Sequence, residues 1–87
     1  MFSHDATLEF VYDDVSTARV VADSVAREVG EIDDERSRTT LERDDRTVRI
    51  EIDARDVTAL RAALNTWFSL VDVAERSVTI GRQHAER

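Results

Sequence analysis

The sequence predicts an α+β fold: a single βαββα domain whose three-stranded antiparallel sheet carries two helices on one face. Three observations predict it. Residues 6–12 and 47–52 alternate apolar and polar side chains, the period of a half-buried strand. Residues 57–78 repeat apolar side chains at helical spacing, and a second helical stripe occupies residues 18–29. The chain has no proline and only Gly30 and Gly81, so no linker divides it. Residues 1–87 are therefore expected to form one domain with its core at about 6–78.

The elements follow in order. In ATLEFVY, residues 6–12, Leu8, Phe10 and Tyr12 share one face, while Thr7, Glu9 and Val11 share the other. These are strong β-formers, and Asp13 and Asp14 end the strand. Asp14 or Ser16 then serves as N-cap of a helix running to about Val29. Ala18, Val21, Ala22, Val25 and Val29 line one stripe, and Gly30 suits the residue just past the helix end. The charged stretch EIDDE, residues 31–35, is a loop. RSRTTLERDDRTVRIEID reads as a hairpin turning at Asp44 and Asp45. Its second arm sets Val48, Ile50 and Ile52 inward. Its first arm sets Ser37, Thr39 and Leu41 inward, a polar strand of the kind found at sheet edges.

Asp56 caps the last helix. Val57, Leu60, Leu64, Trp67, Val71, Ala74 and Val78 are spaced alternately three and four apart, a heptad seam. Ala63, Phe68 and Leu70 widen that seam in mid-helix. This is more apolar surface than a small sheet needs. Contiguous apolar surface of this kind marks an interface unless the first helix covers it. For SVTI, residues 77–80, two readings stand: the helix continues, or a short fourth strand forms and completes a ferredoxin-like sheet.

A chain of 87 residues buries roughly 60–65% of its unfolded surface, which leaves little room for an enclosed active site. There is no cysteine, so neither disulfides nor thiolate metal sites arise. No run approaches a membrane span, and the N-terminus lacks the basic start and apolar core of a signal peptide. A cytoplasmic protein without a membrane partner is expected. Acidic residues number 19 against 12 basic ones, and every basic residue is arginine. A net charge of −7 without any lysine suits a cytoplasm of molar salt, where repulsion is screened within about 3 Å.

The constellations that carry catalysis are missing. His4 and His84 fall in terminal segments with no ligand partner at metal spacing, so no metal or cofactor is expected. Two isolated glycines make no phosphate loop, and the motifs of KH and RRM domains are absent. The pairs Asp33/Asp34 and Asp44/Asp45 read as solvated turns. Arg36, Arg38 and Arg49 are predicted to share the open sheet face. There they contact phosphates, or, the simpler reading, Arg49 and Arg38 pair across strands with Glu51 and Glu42.

Three segments carry a resemblance: TLEFVYDDVSTARVVADSVA, RSRTTLERDDRTVRIEIDARD and DVTALRAALNTWFSLVDVAE. In this order and spacing they resemble the Pcc-one family, the smallest core subunit of the KEOPS complex, related to the CTAG/LAGE proteins. The lysine-free composition looks like that of an archaeal, salt-adapted member. The resemblance implies a non-catalytic homodimer that binds the catalytic subunit, which transfers a threonylcarbamoyl group to an adenosine beside the tRNA anticodon. It also implies a contribution to tRNA binding. On that resemblance Val21, Val25, Leu60, Leu64, Trp67, Phe68 and Val71 lie at or under a helical interface, and Arg36, Arg38 and Arg61 contact tRNA phosphates. The net acidity sets this chain apart from basic nucleic-acid binders. The alternatives are a ferredoxin-like module that binds a small regulatory molecule, and a small enzyme whose site forms between subunits.

Overall fold

The computed structural model describes residues 2–31 and 34–85. The elements are β1 (His4–Val11), α1 (Val15–Ala26), β2 (Ser37–Asp44), β3 (Thr47–Ala54) and α2 (Val57–Ala85). The sheet is antiparallel in the order β1-β3-β2, so the clearest apolar strand, β3, is central and the polar β2 is an edge. Register follows the pleat. Leu8 and Leu41 flank Ile50, while Glu9 and Glu42 flank Arg49 on the opposite face. Both helices cover the face that carries Ile50, and the other face is open.

Local chemistry sets the element ends. Asp14 caps α1, its Oδ1 accepting the Thr17 N–H at 2.6 Å. α1 stops at Ala26, three residues before the expected end, because the chain passes into turns at residues 27–31. Gly30 at φ +89° makes the reversal, a backbone region that side chains with a Cβ rarely enter. Asp34 organises the entry to β2 by accepting the N–H groups of Arg36 and Ser37. Asp33, paired with it in the sequence reading, lies outside the described residues.

The hairpin turn falls on Asp45 and Arg46, one residue later than expected, because Asp44 still pairs with Thr47. Asp45 takes φ +56°, which aspartate tolerates better than most residues. β1 begins at His4, two residues early, since Ser3 N–H donates to Ala54 O and His4 pairs with Ala54. His4 is thus part of a strand rather than a loose terminus. His84 falls in the last turns of α2, and its side chain is outside the described set.

Residues 77–80 are helical, so the fourth strand and the ferredoxin-like sheet do not form. Val78 keeps the heptad seam and packs on the core, and Ser77 and Thr79 return their hydroxyls to the carbonyls of Val73 and Glu75. A helix of 29 residues is about 43 Å long. An eight-residue strand spans about 27 Å, so α2 overhangs the sheet. Among the described residues no helix is long and apolar enough to cross a membrane.

Candidate protein-interaction surface

The core is closed under β3 and β2 and half-open over β1. Val48, Ile50, Ile52 and Ala54 of β3 are fully buried, as are Val21 and Ala18 of α1 and Trp67 of α2. Ser37 and Thr39 of β2 are buried too. They lie under the helices rather than at solvent because Thr39 Oγ1 accepts the Trp67 indole N–H at 3.1 Å, which satisfies the one polar atom of that large ring. By contrast Ala6, Leu8, Phe10 and Tyr12, which face the same way along the β1 side, are only partly buried. The helical layer stops short of this edge.

α2 presents one flank to that edge. Successive helical residues turn by about 100°, so Trp67 points into the core and Phe68 points sideways. Phe68 is 50% exposed and meets Phe10 edge-on, with ring centroids 6.2 Å apart. Leu60 and Leu64, partly buried, line the same side, and Val57 extends it at 51% exposure. Farther along, the Tyr12 hydroxyl donates to Glu75 Oε2 at 2.7 Å. Partial burial, and then the neighbouring carboxylate, raise the Tyr12 pKa, so the phenol holds its proton. On the outer surface of the helices two further valines are exposed, Val20 on α1 and Val73 on α2.

Of the residues expected at the helical interface, Val21, Val25, Trp67 and Val71 are buried inside the chain's own core. Leu60 and Leu64 are intermediate, and Phe68 alone is half in solvent. Sequence reasoning passed over the exposed valines at positions 20 and 73. Their signal was a valine off the apolar stripe of its helix.

The expected cationic face is dispersed. On the open sheet face Asp5, Glu9, Glu42, Glu51 and Asp53 outnumber Arg38 and Arg49. Arg49 donates to Glu9 at 2.9 Å and lies 3.7 Å from Glu42, carboxylates that raise its pKa. Pairing across strands is therefore the observed role of Arg49, although its partners are Glu9 and Glu42. Arg38 pairs with neither glutamate; its guanidinium lies over the Phe2 ring, 5.1 Å from the centroid.

Arg36 reaches back to Asp56, 3.4 Å away. Asp56 caps α2 by accepting the Ala59 N–H at 2.7 Å. That bond first, and then Arg36, hold the Asp56 carboxyl below its ordinary pKa. Arg61 stands on the flank of α2 beside Phe68, away from the groove of about 160 Å³ that Arg36 and Ser37 form with Ala59, Ala62, Ala63 and Thr66. This open groove is smaller than the roughly 300–1,000 Å³ of ligand pockets, and neither it nor a fourth strand supports the small-molecule module. Among the described residues no three side chains cluster to hold a metal.

Fold and surface together define a class: a small βαββα domain with a closed core and one apolar helix flank left open. A family model described as "Transcription factor Pcc1" matches residues 5–79, and the chain belongs to the Pcc1 family. It is also similar to a chain of the solved structure described as "Crystal structure of binary complex Gon7-Pcc1". There the TM-score is 0.72 at 11% identity, over 92% of this chain and 98% of that one. At that identity the likeness establishes the fold. No curated protein matches the chain.

Proposed function

We propose that this chain is a non-catalytic scaffold subunit of the KEOPS complex. In this reading it dimerises, binds the catalytic threonylcarbamoyl-transferring subunit through its helical layer, and supports modification of tRNA. The observation that carries the reading is the open flank of α2, where Phe68 is half exposed beside a sheet edge that is only half covered. The exposed half of this apolar surface packs on nothing within the chain, and it is the surface another chain would bury. Family membership supports the same reading. So does the likeness in fold to a chain of the binary complex Gon7-Pcc1.

The named interface residues divide by depth. Leu60, Leu64 and Phe68 would meet another chain, while Val21, Val25, Trp67 and Val71 lie beneath and hold the surface rigid. Val20 and Val73 offer a second apolar contact on the outer side of the helices. Arg36 and Arg38, near the start of β2, are the proposed phosphate contacts, with Arg61 at a distance on α2. The acidic sheet face is unsuited to a nucleic-acid backbone, and the same acidity argues against a DNA-binding role on this chain. tRNA contact is accordingly proposed only within the assembled complex.

Multi-angle light scattering in molar salt tests the proposal, on the chain alone and after addition of the catalytic subunit of the same organism. A dimer that moves into a larger stoichiometric complex is expected. A monomer indifferent to that subunit would overturn the reading.

A further inference from the structure

β1 is held unevenly along its length. Its helix-facing residues Ala6, Leu8, Phe10 and Tyr12 are only partly buried, whereas Val48, Ile50 and Ile52 of β3 are fully buried. The far half of the strand and the residue after it carry three side-chain ties. Arg49 donates to Glu9 at 2.9 Å, Phe10 meets Phe68 edge-on, and the Tyr12 hydroxyl donates to Glu75 at 2.7 Å. From Asp5 to Thr7 no side chain makes a hydrogen bond, ion pair or ring contact among the described residues. The near end is fixed by Ser3, whose N–H donates to Ala54 O and whose exposed hydroxyl donates to Arg55 O.

That near half also carries a repulsion. Asp5 stands directly opposite Asp53, both exposed on the open sheet face. Tyr12 N–H donates to Arg46 O, so in this register the even residues of β1 hold the ladder hydrogen bonds. Asp5 and Asp53 are therefore a non-hydrogen-bonded pair, the closer kind, with Cα atoms about 4.5 Å apart. Arg38 stands opposite Asp53 on the other side but makes no ion pair among the described residues; its guanidinium lies over the Phe2 ring.

We infer that residues 4–7 form a latch governed by ionic strength. At low salt the first half of β1 leaves β3, while its second half, β2 and the helical layer stay in place. The range of the repulsion is the reason. Screening extends over about 10 Å at 0.1 M salt and about 3 Å at 1 M. Opposed Cβ atoms lie about 5 Å apart, inside the first distance and outside the second. High salt thus cancels the like-charge term, and the ladder bonds close the latch. Local opening takes the least supported segment first, and here that segment is also the repelled one. The latch belongs to the single chain, so it is independent of the function proposed above.

Amide hydrogen exchange by nuclear magnetic resonance, at fixed protomer concentration in about 0.1 M and about 1 M KCl, tests the latch. Ladder bonds alternate, so the Ile52 N–H faces Ala6 of β1, the Val48 N–H faces Phe10, and the Glu51 N–H faces Thr40 of β2. At the lower salt the protection factors of Ala6 and Ile52 should fall below those of Val48 and Glu51, and at the higher salt the gap should close. Asp5→Asn should raise the protection of Ile52 about threefold at the lower salt and leave it unchanged at the higher one. Asp44→Asn removes the same charge from the other end of the same face, opposite Thr47, and should leave Ile52 unchanged in both.

If all four amides lose protection together, the chain opens as one unit and the latch is wrong. If Asp44→Asn protects Ile52 as well as Asp5→Asn does, net charge rather than the opposed pair is the cause, and the inference fails. An Asp5→Asn protein with unchanged Ile52 protection at the lower salt would also overturn it.

Discussion

Trp67→Ala separates the core of this domain from its surface. Trp67 is the largest of the fully buried side chains and is 0% exposed, packed among Val21, Ile50, Ile52 and Val71. Truncating a buried tryptophan costs about 3–5 kcal/mol, through lost transfer energy and the cavity left behind. A domain of this length is stable by roughly 4–13 kcal/mol in all, so the variant should lie close to its unfolding threshold.

A second substitution isolates the polar part of that cost. Thr39→Val keeps the ring and removes the oxygen that accepts the indole N–H, leaving a buried donor unsatisfied at about 1–3 kcal/mol. Urea unfolding should be followed by far-ultraviolet circular dichroism, because Trp67 is the sole tryptophan and fluorescence is lost with it. Protomer concentration must be held constant, since the proposed association would add concentration-dependent stability. A Trp67→Ala protein that unfolds with unchanged slope and loses less than about 1 kcal/mol would refute the placement of this ring at the centre of the core.

Three other outcomes follow from the same coordinates. Phe68→Asp, one residue along, should shift the unfolding midpoint far less than Trp67→Ala while abolishing association in sedimentation or light scattering; a protein that unfolds instead would make Phe68 a core residue. Arg49→Glu should lower the melting temperature at low salt, because it sets three carboxylates side by side with Glu9 and Glu42. The difference from the parent should shrink at 1 M salt, where the screening length is about 3 Å. Asp56 has a folded pKa below its unfolded value of about 3.9, so its ionised cap stabilises the fold above that pH, and the contribution is lost as pH falls through the lower folded value. Asp56→Asn keeps the capping oxygen but cannot titrate. Unfolding measured from pH 5 down to 2.5 should therefore converge for parent and variant, and parallel curves would show that Asp56 carries no acid dependence.

The acidity of the chain has a structural distribution. Asp5 and Asp53 stand directly opposite each other on the open sheet face, a like-charge cross-strand pair that opposes folding in dilute buffer. Arg38 stands opposite Asp53 on the other side, and Arg49 meets Glu9 and Glu42 farther along the same face. Composition alone pointed to salt tolerance. The register adds where the repulsion lies and which arginines stand beside it.

Much of the fold was legible because its determinants are close in sequence. Alternation placed β3, the heptad seam placed α2 up to the open stretch at 77–80, and Asp14 and Asp56 each sit three residues before the N–H they cap. Legibility failed where an end depends on pairing with a distant strand. β1 starts at His4 because Ala54 is there to pair with it, and the hairpin turns one residue late because Asp44 finds Thr47. The early end of α1 at Ala26 left Gly30 beyond the helix, in a turn whose sharpness no periodicity reports.

The sequence by itself determined the element order, the faces of the strands, the Asp56 cap and the excess of apolar surface on α2, and narrowed the cap of α1 to Asp14 or Ser16. Tertiary structure decided how that surface is divided. Trp67 and Phe68 are neighbours of similar character; periodicity put Trp67 on the heptad seam and Phe68 beside it, but left open whether α1 would cover Phe68. One points down onto Thr39 and vanishes from solvent; the other leans on Phe10 and stays half exposed. The same applies to charge: Arg49 is absorbed by Glu9 and Glu42, whereas Arg61 has no ion-pair partner among the described residues. Local patterns set the direction of each side chain relative to its own helix or strand. Only the placement of helix on sheet, through the order β1-β3-β2 and the short cover over β1, decides which directions lead inward and which lead to solvent.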